Sequence, residues 1–452
     1  MDAYRDKQIV VVGAGRSGRS LAEYFLSRGA RVTLSDSRPL DQFREADQLQ
    51  KKGLRLDFGG HTEELFVAAD LIAISPGVPL ELPSLAAAQR RSVPVLGEIE
   101  IASRELSAPL VGITGTNGKS TTTTLIGGIL QDWGRKTFVG GNLGTPLIEA
   151  VDESGWDWLV VEISSFQLEA IERFRPRYGL LLNLTEDHLD RYPDMDAYMA
   201  AKKQLFRNMQ TDDVAVLNGD DPLVVQLTSD LHCRKVYFSS STVPAEGMGL
   251  EGGEIVWKMG GEEIRFPVSQ LRLKGLHNLE NVMAALIPPL LEGCPAEEAW
   301  RSVCAFSGLD HRMVLVRELN GVCWYNDSKG TNVGSVVKSL AGLNPPVTLI
   351  AGGKDKGGDY SPLIEMIREK VCRLILIGEA ADRIEGALGG LTETLRAATL
   401  EEAVRLAHRL TPSGGSVLLS PGCSSFDMFR SYVERGEVFV RAVMELPAKE
   451  EG

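Results

Sequence analysis

Between an apolar run, Pro109-Leu110-Val111-Gly112-Ile113, and a stretch of helical character over 122–131, the chain reads Thr114-Gly115-Thr116-Asn117-Gly118-Lys119-Ser120-Thr121. Strand, glycine-rich turn, Lys-Ser and helix is the layout of a phosphate-binding loop. Glycines let backbone N–H groups turn inward onto an anion, and the helix start adds the positive end of its dipole. Lys119 is placed to reach the β- and γ-phosphates of a nucleotide, and the Ser120 hydroxyl to hold Mg²⁺. The general pattern has glycine where this chain has Ile113; its glycines are Gly112 and Gly115. An ordinary glycine turn ahead of a helix is the alternative.

The rest of the chain repeats the strand–turn–helix unit. Aliphatic or β-branched runs occur at 7–12, 32–36, 71–75, 158–162, 179–183, 214–218, 347–351, 374–378 and 417–420. Continuous runs of this kind, with helices between them, favour parallel sheets covered on both faces, an α/β architecture. Segments 235–240 and 254–266 alternate more and suggest a small antiparallel addition. A chain of 452 residues is too long for a single core, so several domains are expected. Boundaries suggest themselves near Val93-Pro94-Val95-Leu96-Gly97 and Ser307-Gly308-Leu309-Asp310, giving pieces 1–97, 98–308 and 309–452.

Composition narrows the function classes. A formal net charge of −13 argues against broad nucleic-acid binding, so positive potential for phosphates has to be built locally. The longest apolar runs are strand-sized, which argues against a membrane span. The N-terminus enters a strand at once and does not read as a signal peptide. The six cysteines include no C-x-x-C pair and read as reduced thiols of a cytoplasmic protein. The charged residues 448–452 read as a frayed tail.

Two further groups of residues carry chemistry. Gly13-x-Gly15-x-x-Gly18 lies between a strand and a helix, with Asp36 ending the next strand. That is a dinucleotide fingerprint in its required context, and the same turn can hold any diphosphate. Ser75-Pro76-Gly77 ends a neighbouring strand and could line the same crevice. In the middle piece Glu162 closes one apolar strand and Asn183 another, the latter leading into Thr185-Glu186-Asp187-His188. A carboxylate and an imidazole at strand ends of a phosphate-loop sheet are placed to hold metal near a γ-phosphate. A buried paired Glu is the alternative for Glu162.

Several motifs together resemble the Mur ligases, ATP-dependent amide-forming enzymes of peptidoglycan assembly. They are Thr114 to Ser120, Glu162-x-Ser164-Ser165-Phe166-Gln167-Leu168, Asn183 to Asp190, Gly275-Leu276-His277-Asn278-Leu279-Glu280-Asn281 and Leu309-Asp310-His311-Arg312. Asn326-Asp327-Ser328-Lys329-Gly330-Thr331-Asn332 looks like the D-glutamate-adding members. Gly352-Gly353-Lys354-Asp355-Lys356-Gly357 and Ser420-Pro421-Gly422-Cys423-Ser424-Ser425-Phe426-Asp427 agree with them.

The resemblance implies three α/β domains: a Rossmann-like first domain for a UDP-sugar, a central ATPase-like domain, and a Rossmann-like third domain for the incoming amino acid. It implies amide formation between UDP-N-acetylmuramoyl-L-alanine and D-glutamate through an acyl phosphate, with ADP and phosphate released. ATP would be held by Gly115, Thr116, Asn117, Gly118, Lys119, Ser120 and Thr121, with Asn278, Asn281, Arg312 and Asp327. Metal, two Mg²⁺ ions with Mn²⁺ as a substitute, would be held by Ser120, Glu162, His188 and a carbamylated Lys202, Lys203 being its neighbouring alternative. Lys329 would sit over the phosphates. The UDP-sugar would meet Arg16, Ser17, Asp36, Ser37, Ser75, Gly77, Asn142 and His188. D-Glutamate would meet Thr331, Lys356, Ser425, Phe426 and Tyr432. Domain closure would expel water from the intermediate. The implied partners are these small molecules, with no nucleic acid and no membrane, and a monomeric cytoplasmic protein. Two other readings compete: a different ligase, such as another Mur member or a folylpolyglutamate-type enzyme, and a non-catalytic nucleotide sensor or NAD(P)-binding module.

Overall fold

The computed structural model describes residues 3–43, 46–189, 191–273 and 275–447. Asp190 and the tail 448–452 therefore lie outside the described residues. By contacts the chain divides into two compact units: Met1–Asn183, Tyr198–Gln270 and Glu280–Val303 form the first, and Leu184–Ala197, Leu271–Leu279 and Cys304–Gly452 the second.

The first unit holds two sheets. One consists of β1 (Gln8–Val12), β2 (Arg31–Asp36), β3 (Arg55–Phe58), β4 (Leu71–Ile74) and β5 (Val95–Gly97), in the order β3-β2-β1-β4-β5. All its pairings are parallel. Strand order reverses at β1, which places the loops after β1 and β4 beside one crevice. Gly18 fits there because it lacks a side chain: a Cβ on it would lie 1.8 Å from the Gly13 carbonyl oxygen. The other sheet consists of β6 (Leu110–Thr114), β7 (Thr137–Gly141), β8 (Trp158–Glu162), β9 (Tyr178–Leu181), β10 (Val214–Asn218), β11 (Arg234–Ser239), β12 (Gly247–Glu251), β13 (Glu254–Met259) and β14 (Glu262–Pro267). Its order is β14-β13-β12-β11-β10-β9-β6-β8-β7. The antiparallel addition expected from 254–266 is the β12–β13–β14 meander. The expectation fails for 235–240, because β11 pairs parallel with both β10 and β12. Its alternation reflects a strand less covered on one face, not a change of direction.

The helix Glu98–Glu105 fastens the first sheet to the second through buried carboxylates. Glu100 accepts from the backbone N–H groups of Glu172, Arg173 and Phe174 at 2.8 to 3.1 Å and from Arg104. Glu98 accepts from the Ile148 N–H at 2.7 Å.

The second unit contains β15 (Val314–Leu319), β16 (Val322–Asn326), β17 (Val347–Gly352), β18 (Val371–Ile377), β19 (Glu393–Arg396) and β20 (Ser416–Leu419), in the order β15-β16-β20-β17-β18-β19. Only β15 runs antiparallel to its neighbour. Adjacent residues of one strand enter opposite cores: Leu349 packs with Leu374 and Leu418, and Ile350 with Ile375, Val417 and Leu419. This two-sided burial is what a continuous apolar run requires. The loops leaving β16, β17 and β20 are laced together. Lys354 and Ser424 exchange backbone hydrogen bonds at 3.0 and 3.1 Å, and Arg435, fully buried, binds two of the loops from beneath. Its guanidinium donates to Ser328 Oγ at 3.0 Å, the Ser328 carbonyl at 2.9 Å, the Cys423 carbonyl at 3.2 Å and the Ser424 carbonyl at 3.2 Å. Burial lowers its pKa to about 10, so it stays charged at neutral pH.

Two outcomes follow for stability. Burial pushes the Glu98 carboxyl up to about 7 against an ordinary 4.5, with the N–H groups of Ile148 and Leu147 opposing. In that window the folded chain holds the proton more tightly than the unfolded chain, so the contribution to stability is greatest below pH 4.5 and is lost as pH rises towards 7. Glu98→Gln should remove that slope, gaining on the wild type by up to ~3 kcal/mol between pH 4.5 and 8 in denaturant titrations; parallel curves for the two proteins would contradict the assignment. Arg435→Met leaves several buried carbonyls without donors and should cost about 3 kcal/mol of unfolding free energy. Arg435→Lys should recover only part of it, since one ammonium cannot span both loops.

Candidate functional site

The phosphate-type loop follows β6, the strand flanked by β8 and β9, so the C-terminal ends of three parallel strands converge on it. Ile113, which stands in place of the usual first glycine, is a fully buried strand residue. The turning falls to Gly115 at φ +143° and Gly118 at φ +89°. A Cβ on Gly118 would lie 2.2 Å from Asn281 Oδ1, so the loop passes directly under that side chain. Asn183, at the end of β9, stitches the loop down. It accepts from the Thr116 and Asn117 N–H groups at 3.0 and 2.8 Å and returns a hydrogen bond to the Asn117 carbonyl at 3.0 Å.

Around that loop the structure gathers Lys119, Ser120, Glu162, Lys202, Asn142 and Asn281. Lys119 Nζ donates to the carbonyls of Gly115 and Thr116, both at 2.9 Å. Lys202 Nζ donates to the Gly115 carbonyl at 3.0 Å and lies 4.5 Å from the Tyr198 ring centroid. Lys202 is 1% exposed, whereas Lys203 turns outward to pair with Asp230 at 2.8 Å. Glu162, 3% exposed, accepts from Ser120 Oγ at 2.6 Å and from Asn142 Nδ2 at 2.6 Å. Thr121 Oγ1 is buried with no hydrogen-bond partner among the described residues. N–H groups in the first turn of a helix have no intrahelical acceptor, which makes the start of Lys119–Asp132 an anion-binding end. Hard oxygen donors at Ser120 and Glu162 suit Mg²⁺, which takes one or two protein ligands and completes its shell with phosphate and water. Among the described residues no group of three or more His, Cys, Asp and Glu side chains is clustered for a metal.

At the crevice of the first sheet, Asp36 is committed to the loops after β1 and β2. It accepts from the Ala14 N–H at 2.7 Å and from the Arg38 guanidinium at 2.8 and 2.9 Å. Burial alone would raise its pKa, but those partners hold it at about 2. Ser75 Oγ donates to the Gly13 carbonyl at 3.0 Å. Arg16 is exposed and reaches Thr145 at 3.5 Å, Ser17 is half-buried, and Ser37 and Gly77 are exposed.

The remaining expected residues belong to the second unit, except that the helix Leu276–Leu291 is divided, with Asn278 in the second unit and Asn281 in the first. His188 adopts φ +58°, a conformation a residue with a side chain seldom takes without cause. Beside it Asp187 accepts from Lys356 Nζ at 3.1 Å and Asn332 Nδ2 at 3.0 Å. Burial would raise the Asp187 pKa; Lys356 and His188 outweigh that and hold it at about 2. Asp187, His188, Thr331, Lys338 and Lys356 line one cavity of about 380 Å³. Asp327 is buried and accepts from Ser339 and Ser420, each at 2.7 Å. Lys329 Nζ lies 5.2 Å from the Tyr432 ring centroid. Arg312 Nε is buried without a partner among the described residues. His277, its pKa lowered to about 4 by burial and then by Lys338 and Arg312, is neutral at pH 7. Ser425 is buried, and Phe426 beside it is 69% exposed. Cys423 is no nucleophile, since burial raises its thiol to about 11. Sequence reasoning singled out Asn183 only as a strand-end residue, without its grip on the loop, and did not assign Tyr198 or Arg435 to the site. Asn183 opens the motif Asn183 to Asp190, whereas Arg435 has no local signal on an amphipathic helix.

Family models match three successive parts of the chain: the Mur ligase MurD-like N-terminal domain over residues 7–97, the Mur ligase middle domain over 113–288, and the Mur ligase glutamate ligase domain over 311–423. A UDP-N-acetylmuramoylalanine–D-glutamate ligase of Syntrophotalea carbinolica is 66% identical over 446 residues, covering 99% of both chains. Another of that name from Geotalea daltonii is 52% identical, covering 98% of both. Among solved structures, a pseudomurein peptide ligase type C from Methanothermus fervidus superposes with TM-score 0.62 at 20% identity, covering 97% of this chain and 99% of that one. The UDP-N-acetylmuramate–alanine ligase MurC of Thermotoga maritima does so with TM-score 0.61 at 19% identity and the same coverage. The two structures speak for the fold; with the family models and the high-identity relatives, the chain belongs to the Mur ligase family.

Proposed function

We propose that this protein joins D-glutamate to UDP-N-acetylmuramoyl-L-alanine at the expense of ATP, with residues 1–97, 98–308 and 309–452 serving the UDP-sugar, ATP and amino acid. The observation that carries the reading is the buried Ser120–Glu162 pair at 2.6 Å beneath a loop gripped by Lys119 and Lys202. Relatives more than half identical over the whole chain, named for this reaction, support the choice of substrates.

A carboxylate does not react with an amine at neutral pH, because its leaving group is poor. Transfer of the ATP γ-phosphoryl group to the L-alanyl carboxylate gives an acyl phosphate and ADP. The D-glutamate amine then adds to the carbonyl, and collapse of the tetrahedral intermediate expels phosphate and leaves the amide. Phosphoryl transfer asks the protein mainly for position and charge neutralisation. Lys119, with Gly115, Thr116, Asn117, Gly118 and Thr121, cradles the phosphates. Thr121 Oγ1, without a hydrogen-bond partner among the described residues, is a donor that a bound nucleotide would satisfy, and Arg312 is an expected nucleotide contact. Mg²⁺, held by Ser120 and Glu162 with His188 and Lys202, neutralises phosphate charge when bound; two ions, replaceable by Mn²⁺, are the expected complement. Carbamylation of Lys202 by CO₂, with loss of two protons from the ammonium, would turn its buried cation into an anion suited to that role. Asn278, Asn281 and Asp327 serve the nucleoside, and Lys329 the transferring phosphate.

For the UDP-sugar the reading uses Arg16, Ser17, Asp36, Ser37, Ser75, Gly77, Asn142 and His188. For D-glutamate it uses Thr331, Lys356, Ser425, Phe426 and Tyr432. The cavity beside Thr331 and Lys356 has room and a cation for an amino-acid carboxylate. No helix among the described residues is long and apolar enough to cross a membrane, and we place the reaction in the cytoplasm, carried out by a monomer.

Phosphate release in the presence of ATP, Mg²⁺ and UDP-N-acetylmuramoyl-L-alanine should rise on adding D-glutamate and not L-glutamate or L-alanine. Stimulation by either of those alone would overturn the substrate assignment. Lys119→Ala should lower kcat by at least about 10²-fold; undiminished turnover would remove the phosphate-loop reading.

A further inference from the structure

The Asp187 carboxylate is the group that most needs an explanation outside the reaction just described. Its side chain is only 8% exposed, so it must be paired, and its partners come from two loops. Oδ1 accepts from Lys356 Nζ at 3.1 Å, and Oδ2 accepts from Asn332 Nδ2 at 3.0 Å. Asn332 is fixed at its other end, because its Oδ1 caps the helix Val333–Ala341 by accepting from the Ser335 N–H at 2.8 Å. Thr331 precedes it directly. One carboxylate therefore joins the loop after β17, which carries Lys356, to the loop after β16, which carries Thr331.

We infer that Asp187 is a positioning residue for the amino-acid end of the site, holding the Lys356 ammonium where its remaining donors face the cavity. The inference rests on the proposed role of Lys356 as partner of a D-glutamate carboxylate. A lysine ammonium has three donors on a stem with about 2 kcal/mol of rotamer freedom. Asp187 takes one donor, and Lys356 lines the 380 Å³ cavity shared with Thr331 and His188. Fixing the ammonium beforehand removes an ordering cost that the substrate would otherwise bear. A rival arrangement has the opposite sign: Asp187 could occupy the anion place at Lys356, to be displaced by the substrate. The geometry favours positioning, since both Asp187 oxygens are already engaged, one by Lys356 and the other by Asn332.

Steady-state kinetics on the full chain separate these cases. Lys356→Met should raise the KM for D-glutamate by about tenfold or more, the size of one charge-assisted hydrogen bond. Asp187→Asn should also raise that KM by about tenfold, with the KM values for ATP and the UDP-sugar held within about twofold. The double variant should be no worse than Lys356→Met, because Asp187 acts through Lys356. Asp187→Glu, which keeps the charge, should recover part of the loss, and it carries the test if Asp187→Asn does not fold. An unchanged or lowered KM in Asp187→Asn, or additive losses in the double variant, would overturn the inference while leaving the role of Lys356 standing. A normal D-glutamate KM in Lys356→Met would instead remove that role, and the inference with it.

Discussion

A carboxylate sealed at the end of an apolar strand has to find partners within hydrogen-bond reach, and the middle sheet is organised around meeting that demand at Glu162. Ser120 answers from the loop after β6 and Asn142 from the turn after β7. Asn142 also donates its backbone N–H to the Glu162 carbonyl at 2.8 Å. That approach needs Gly141 at φ +92°, where a Cβ would stand 2.4 Å from the same carbonyl oxygen. Three neighbouring strand ends are thus tied by one acidic residue, which also braces the glycine-rich loop after β6 through Ser120.

The second unit repeats the strategy with different residues. Asp327 draws in Ser339 and Ser420, Asp187 draws in Lys356 and Asn332, and Arg435 supplies the complementary charge beneath the loops after β16 and β20. Charged groups withdrawn from water are costly unless every bond is made. Here the bonds are made between loops, so they tie the loops to one another. The exposed residues of the same loops, Phe426 above all, are left available for other contacts.

Much of this was legible from the residues. The strands at 7–12, 158–162 and 347–351 announce themselves as unbroken aliphatic runs, and glycine spacing marks the turns after β1 and β6. Glu162 was accessible through its motif and Lys202 only through the family resemblance, and only the fold separates buried Lys202 from outward-facing Lys203. What stayed hidden depends on distance along the chain. Asn183 grips the loop 66 residues before it, and Arg435 reaches back 107 residues to Ser328. No local pattern encodes such a meeting. The direction of β11 escaped for a related reason: alternation reports which face is covered, not which neighbour a strand takes.

The second unit is not a continuous stretch of sequence. It borrows Leu184–Ala197 and Leu271–Leu279 from within the span that builds the middle sheet, so the chain passes between the two units five times. No single cut separates them. A fragment beginning at Cys304 would carry Lys356 and Asn332 but not Asp187, and its cavity would lack one wall and the carboxylate that pairs with Lys356. Gene fusion, splitting or domain exchange in this architecture would have to carry those short loans along with the main body to which they belong.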